Sequence, residues 1–166
     1  MQPKKPNRIM PELVPAPLWG RSASKMLRGR AAWKVIRQDA LSQAQECCSI
    51  CGSGEGQLSC HDKWQYDDKK CTATLAGFEV HCANCDSVVH AGRAIKLGYG
   101  EIVVSHLAAI NGWNAKRAIE VLQEAMDVWR NRSAKDWSIV VAPALLKRYP
   151  ALTALPSFVP PSSSVP

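Results

Sequence analysis

The chain has 166 residues, 46% of them apolar, which suits a folded domain with a real core and excludes a disordered polymer. No apolar run approaches the roughly 20 residues that cross a bilayer, so no membrane partner is expected. The basic opening MQPKKPNRIMPEL lacks the apolar stretch of a signal peptide, which points to an intracellular, cytoplasmic protein. The formal charge of +7 is uneven: residues 1–38 carry nine Lys or Arg against Glu12 alone, and the rest carry twelve against thirteen acids. Charge concentrated in this way suits a polyanion, most simply DNA, although basic tails also serve only for solubility.

In chain order, residues 1–22 hold several prolines and no periodicity, and read as a basic, flexible arm. From about Ser24, with Ser22 or Ser24 as cap, Trp33, Ile36, Ala40, Leu41 and Ala44 recur at helical spacing. Arg28, Arg30, Lys34 and Arg37 continue the arm's charge along this helix as candidate nucleic-acid contacts. The run CCSICGSGEG breaks the helix as a tight knuckle. In QLSCHDKWQY, alternation places Leu58, Cys60, Asp62, Trp64 and Tyr66 on one side of a strand and Ser59, His61, Lys63 and Gln65 on the other. DDKK is a turn, and TATLAGFEVHC is a second strand with Gly77 as a candidate bulge.

A second knuckle, CANCDSVVHAG, runs into a short helix that Gly92 is placed to end. GEIVVSHLAAING is one helix, and Asn114 caps another reaching about Arg132, with Ile119, Leu122, Ala125, Met126 and Trp129 on one face. DWSIVVAP suits a short strand or extended segment packing back. Residues 141–166 form a tail rich in Pro and Ser, with disorder expected after Tyr149. The body of the domain is thus residues 23–140.

Seven cysteines, an odd number, argue against a disulfide framework and for metal. Cys48-x2-Cys51 and Cys82-x2-Cys85 each bracket a short turn, so their four thiolates can close a tetrahedral structural zinc site. Soft ligands, four in number, favour Zn²⁺, and the tighter cysteine runs of an iron–sulfur protein are absent. Cys47 sits at a poorer spacing and Cys71 has no partner by spacing. Asp86 directly follows Cys85, and His90 lies four residues on, which puts both on one helix face. An Asp and a neutral His suit a divalent ion such as Mg²⁺, Mn²⁺ or Zn²⁺, and a nearby unligated His61 suits proton transfer. Each also has a plainer role: His61 as a strand residue, Asp86 as a helix cap, His81 as a hydrogen-bonding neighbour of a metal ligand, His106 as a surface or core residue.

At these residues the sequence resembles the zinc-containing branch of the HNH, or His-Me finger, endonucleases. It is also similar to small bacterial and phage HNH-like proteins carrying H-x-x-W-x-Y-D and C-x-x-C-x-x-x-x-H-x-G, here HDKWQYD and CANCDSVVHAG. The resemblance covers roughly residues 30–140. It implies an α+β fold with a zinc-stapled ββα-metal, treble-clef-like core and flanking helices, and hydrolysis of DNA phosphodiester bonds. It makes His61 the general base, Asp86 and His90 the ligands of a catalytic Mg²⁺ or Mn²⁺, and Cys48, Cys51, Cys82 and Cys85 the ligands of structural zinc.

Two positions depart from the family pattern. Cys60 stands where many members place a ligating Asp or His, so it is itself a candidate ligand, or the site lacks one, or Asp62 substitutes. Gly77 stands where the family's middle Asn falls. Both departures favour the alternative of a non-catalytic zinc module, on a degenerate HNH scaffold, that binds nucleic acid or a protein partner.

Overall fold

A computed structural model describes residues 8–27 and 30–155. Its centre is the hairpin of β1 (Leu58–Asp67) and β2 (Thr72–Cys82), antiparallel from Leu58↔Cys82 to Asp67↔Thr72. The turn between them is held by Asp67, whose carboxylate accepts from the Lys69 and Lys70 amides at 3.0 Å. The register slips once: Lys63 faces Gly77 but Trp64 faces Leu75, so the bulge falls beside the predicted glycine. The predicted third strand, β3 (Ser138–Val141), pairs parallel with β2, giving the sheet order β1-β2-β3. Parallel pairing needs a long crossover. Four helices supply it: α3 (Ala83–Val89), α4 (Ala91–Lys96), α5 (Gly100–Asn111) and α6 (Ala115–Ser133). The fold is α+β.

The basic helix divides into α1 (Ala23–Met26), capped by Ser22, and α2 (Ala31–Gln43). Trp33 of α2 meets Phe78 edge-on at 6.0 Å, which places α2 against the Asp62–Phe78 side of the hairpin. Asn114 caps α6 as predicted, accepting from the Arg117 amide at 2.8 Å, although Ile119 is exposed rather than buried. Gly92 does not end a helix. The break falls at His90 (φ −96°, ψ 40°), and Gly92 lies inside α4 where Leu13 crosses it. None of the helices among the described residues is long and apolar enough to cross a membrane.

Two segments correct the expected domain layout. Residues 8–22 are not a loose arm. Ile9 is only 2% exposed and Leu18 is buried, and each such side chain contributes roughly 1.5–3 kcal/mol when buried. Asn111 brackets the Ile9 backbone, the Glu12 amide donates to Val89 O at 2.9 Å, and the Ala16 amide donates to Ser133 Oγ at 3.0 Å. The segment is irregular, so it leaves no periodic trace in sequence. At the other end, a boundary at 140 cuts through β3. Beyond it α7 (Pro143–Arg148) and a 3-10 turn (Pro150–Ala154) bury Leu145 and Leu152 against Leu27, Ile36 and Leu75. Tyr149 bonds Asp39 of α2. Residues 1–7, 28–29 and 156–166 lie outside the described residues, and with them the candidate contact Arg28.

Packing the N-terminal segment has an electrostatic cost. Glu12 is sunk beside Glu79 and Asp62, and burial followed by those charges raises its carboxyl to about 8. The folded chain therefore holds a proton that the unfolded chain releases near pH 4.5. The stability tied to Glu12 is complete below that pH and is lost as pH rises through about 8. Glu12→Gln is expected to flatten this slope and to melt higher than wild type at pH 8. Thermal melts at pH 5 and pH 8 test it, and parallel slopes for the two proteins would refute it.

Candidate metal centre and histidine cluster

The first knuckle forms because α2 ends at Gln43 and the chain turns back on itself. The Cys48 amide donates to Ser53 O at 2.7 Å, the Gly52 amide donates to Cys48 O at 2.9 Å, and Gly52 takes φ +78°, where a side chain would be strained. The Ser49 amide donates to Val80 O at 2.7 Å, and Ser49 Oγ accepts from the Val80 amide at 3.1 Å, which ties this turn to the end of β2. Cys82 closes β2 and Cys85 lies in the first turn of α3. The four ligand atoms of Cys48, Cys51, Cys82 and Cys85 consequently lie within 4.8 Å of one another, with Cys51 and Cys82 sulfurs 3.6 Å apart.

A tetrahedron with Zn–S bonds of about 2.3 Å separates its sulfurs by about 3.8 Å, so the quartet fits a zinc ion and could hold one. Burial of three of the four and the convergence of their sulfurs suit a metal–thiolate site. Among the described residues this is the only group of three or more His, Cys, Asp or Glu donors that converges so closely. Cys47 and Cys71 stay outside it. His106 does not read from sequence as part of the centre, yet its Nε2 lies 3.2 Å from Cys85 Sγ. It arrives there on α5, and no spacing rule connects it to Cys85. Its N–H can stabilise a metal-bound sulfur.

The hairpin and α3 bring His61, Asp86 and His90 together. His61 faces Glu79 across the strands, and its ring stacks on His81 (4.8 Å, 27°) and lies 4.7 Å from His90. Asp86 Oδ1 accepts from Ser59 Oγ at 3.1 Å and sits 3.9 Å from His90 Nε2. His81 is 1% exposed, with Nε2 3.5 Å from Glu79 Oε2 and no hydrogen bond at either ring nitrogen. Burial, then the neighbouring His90 and His81, lower His61 to about 4, so its imidazole is neutral near pH 7. Burial lowers His90 too. Glu79, paired with His81 and Lys63, falls to about 2.

Cys60 and Asp62 do not join this cluster. Strand alternation turns both away from His61. Cys60 faces Val80 across the hairpin and burial raises its thiol to about 12, although it and Asp62 line the same cavity as His61. Asp62 Oδ2 accepts from the Ala23 amide at 2.8 Å and so holds the start of α1. The basic residues predicted from sequence are also placed elsewhere. Arg30, Lys34 and Arg37 ride on α2, and Arg37 donates to Leu58 O at 3.3 Å. The cations that do line the cavity over His61, Asp86 and His90, about 710 Å³ in volume, are Lys25, Arg93 and Lys96. Nothing in their sequence context marks them, because they come from two helices far apart in the chain.

Compared with protein-family models, curated proteins and solved structures, the chain matches none. Purified protein is expected to hold about one zinc per chain, and Cys51→Ser or Cys82→Ser to lose it together with cooperative folding, since a structural zinc site couples metal affinity to the fold. Cys60→Ser should keep its zinc. Elemental analysis with thermal melts decides, and full zinc in the Cys82→Ser protein would sink the assignment.

Proposed function

We propose that the chain is a metal-dependent HNH-type endonuclease acting on DNA. The observation that carries this reading is the meeting of His61, from β1, with Asp86 and His90, from the helix that starts at the second cysteine knuckle. The succession of hairpin, knuckle and helix supports a ββα-metal, treble-clef-like core, with zinc in the quartet as its staple. His61 takes the proton of the attacking water. Stacking on His81 fixes the plane of its ring. Asp86, steadied by Ser59, and His90 hold Mg²⁺ or Mn²⁺, which would neutralise the scissile phosphate and stabilise the leaving oxygen. Arg93 and Lys96, exposed on α4 and lining the cavity, are placed to hold neighbouring phosphates.

A second reading has its own support. Among the described residues the four cysteines are the only close group of three or more donors, so Asp86 and His90 stand as a pair without a third close ligand, which favours a zinc module that binds nucleic acid or protein without cutting.

Cleavage of supercoiled plasmid and of single-stranded DNA, assayed side by side, separates the two. Wild-type protein should cut at least one of these substrates with Mg²⁺ or Mn²⁺ and stop with EDTA, and His61→Ala should lower the rate about 10²–10⁴-fold with its zinc retained. Zinc-loaded protein that retards DNA in a gel but cuts with neither metal would overturn the nuclease reading in favour of the second.

A further inference from the structure

Trp19 is 64% exposed, yet it is not free to move. Its indole N–H donates to Val14 O at 2.8 Å, and the N–H of Trp129, from α6, donates to the same carbonyl at 3.2 Å. A carbonyl oxygen has two lone pairs and can serve both. The two rings lie offset-stacked, 6.1 Å apart and 17° from parallel. One face of Trp19 is therefore covered by Trp129, its polar edge is satisfied, and the rest of the ring is held open to solvent. Gly20 follows at φ +81°, in the left-handed region that glycine adopts without strain.

Both tryptophans line the same cavity as His61, Asp86 and His90. Lys25, Arg93 and Lys96 line it too. All three are exposed, and none makes an ion pair among the described residues. A rigid aromatic face beside unpaired cations is the arrangement that binds single-stranded nucleic acid: the cations take the phosphates and the ring takes a base. A duplex hides the faces of its bases and could use only the cations. We infer that the cavity takes a strand with an unpaired base, stacked on the open face of Trp19, so that the substrate of this site is single-stranded nucleic acid or the unpaired part of a branched or flapped duplex. The inference rests on the nuclease reading of the same cavity for its word "substrate", while the binding it describes can be measured alone.

The test is fluorescence anisotropy with labelled oligo(dT) and with a duplex of equal length. It uses the full zinc-loaded chain without Mg²⁺ or Mn²⁺, as wild type, Trp19→Ala and Trp19→Phe. Trp19→Ala should bind the single strand about 10- to 100-fold more weakly, as loss of one base–aromatic stack predicts. Trp19→Phe should keep most of the affinity, and duplex binding should not change. Melting curves verify that the exposed substitution leaves the fold intact.

Equal single-strand affinity in wild type and Trp19→Ala would overturn the inference. So would no binding of any oligonucleotide, which would leave the tryptophan pair as a contact for an apolar protein partner. Nicking of duplex plasmid with no effect of Trp19→Ala on strand binding would sink this inference and spare the nuclease reading. Trp19-dependent strand binding by a protein that never cuts would do the reverse.

Discussion

The pairing of Leu58 with Cys82 at the open end of the hairpin governs the arrangement of the rest. It sets the last residue of β2 beside the knuckle that follows α2, and the Ser49–Val80 hydrogen bonds lock the two together. The sulfurs of two segments about thirty residues apart in sequence then meet, which fixes where α3 begins. From that start, Asp86 and His90 fall opposite His61 without further adjustment. A slip of one residue between β1 and β2 would turn His61 to the other side of the sheet, with Cys60 and Asp62 in its place. The metal quartet and the histidine cluster are thus two consequences of one register.

Two walls of the cavity come from the N-terminal segment and from the crossover. The N-terminal segment contributes Trp19 and Lys25, and the crossover contributes Arg93, Lys96 and Trp129. Both depend on the irregular segment from Ile9 to Leu18 being packed down, because its Val14 carbonyl aligns the two tryptophans and its Glu12 amide ties it to the end of α3. That segment also carries the buried Glu12 carboxyl, raised by burial and by the charges of Glu79 and Asp62. The opposite side of the molecule is held by more ordinary means: aliphatic burial under α7, an edge-on Phe78–Tyr149 contact, and the Asp39–Tyr149 and Asp39–Arg148 pairs.

Arg132 links one end of the sheet to the crossover. Its guanidinium pairs with Asp68 at 2.7 Å and lies over the Tyr66 ring at 4.4 Å, while its carbonyl accepts from the fully buried Trp137 at 2.7 Å. Tyr66 in turn meets Trp137 edge-on. The tip of the hairpin and the start of β3 are therefore held by one residue at the end of α6. This explains how a strand of only four residues finds its place beside β2.

What the sequence alone determined follows from short-range geometry. Two residues between cysteines define a knuckle, alternation defines the faces of β1, Asn114 defines a cap, and the four-residue step from Asp86 to His90 defines a shared side. These signals survive because their physics is confined to one turn or one strand. Three things were decided only by tertiary structure: the approach of His106 to Cys85, the stack of Trp19 on Trp129, and the choice of Lys25, Arg93 and Lys96 over the α2 cations as the cavity's charge. Each joins elements separated by many residues, and each depends on helix packing rather than on spacing. The same holds for the chain ends, where proline and irregular spacing suggest looseness until burial of Ile9, Leu18 and Leu152 against the finished core offsets the entropy of ordering them.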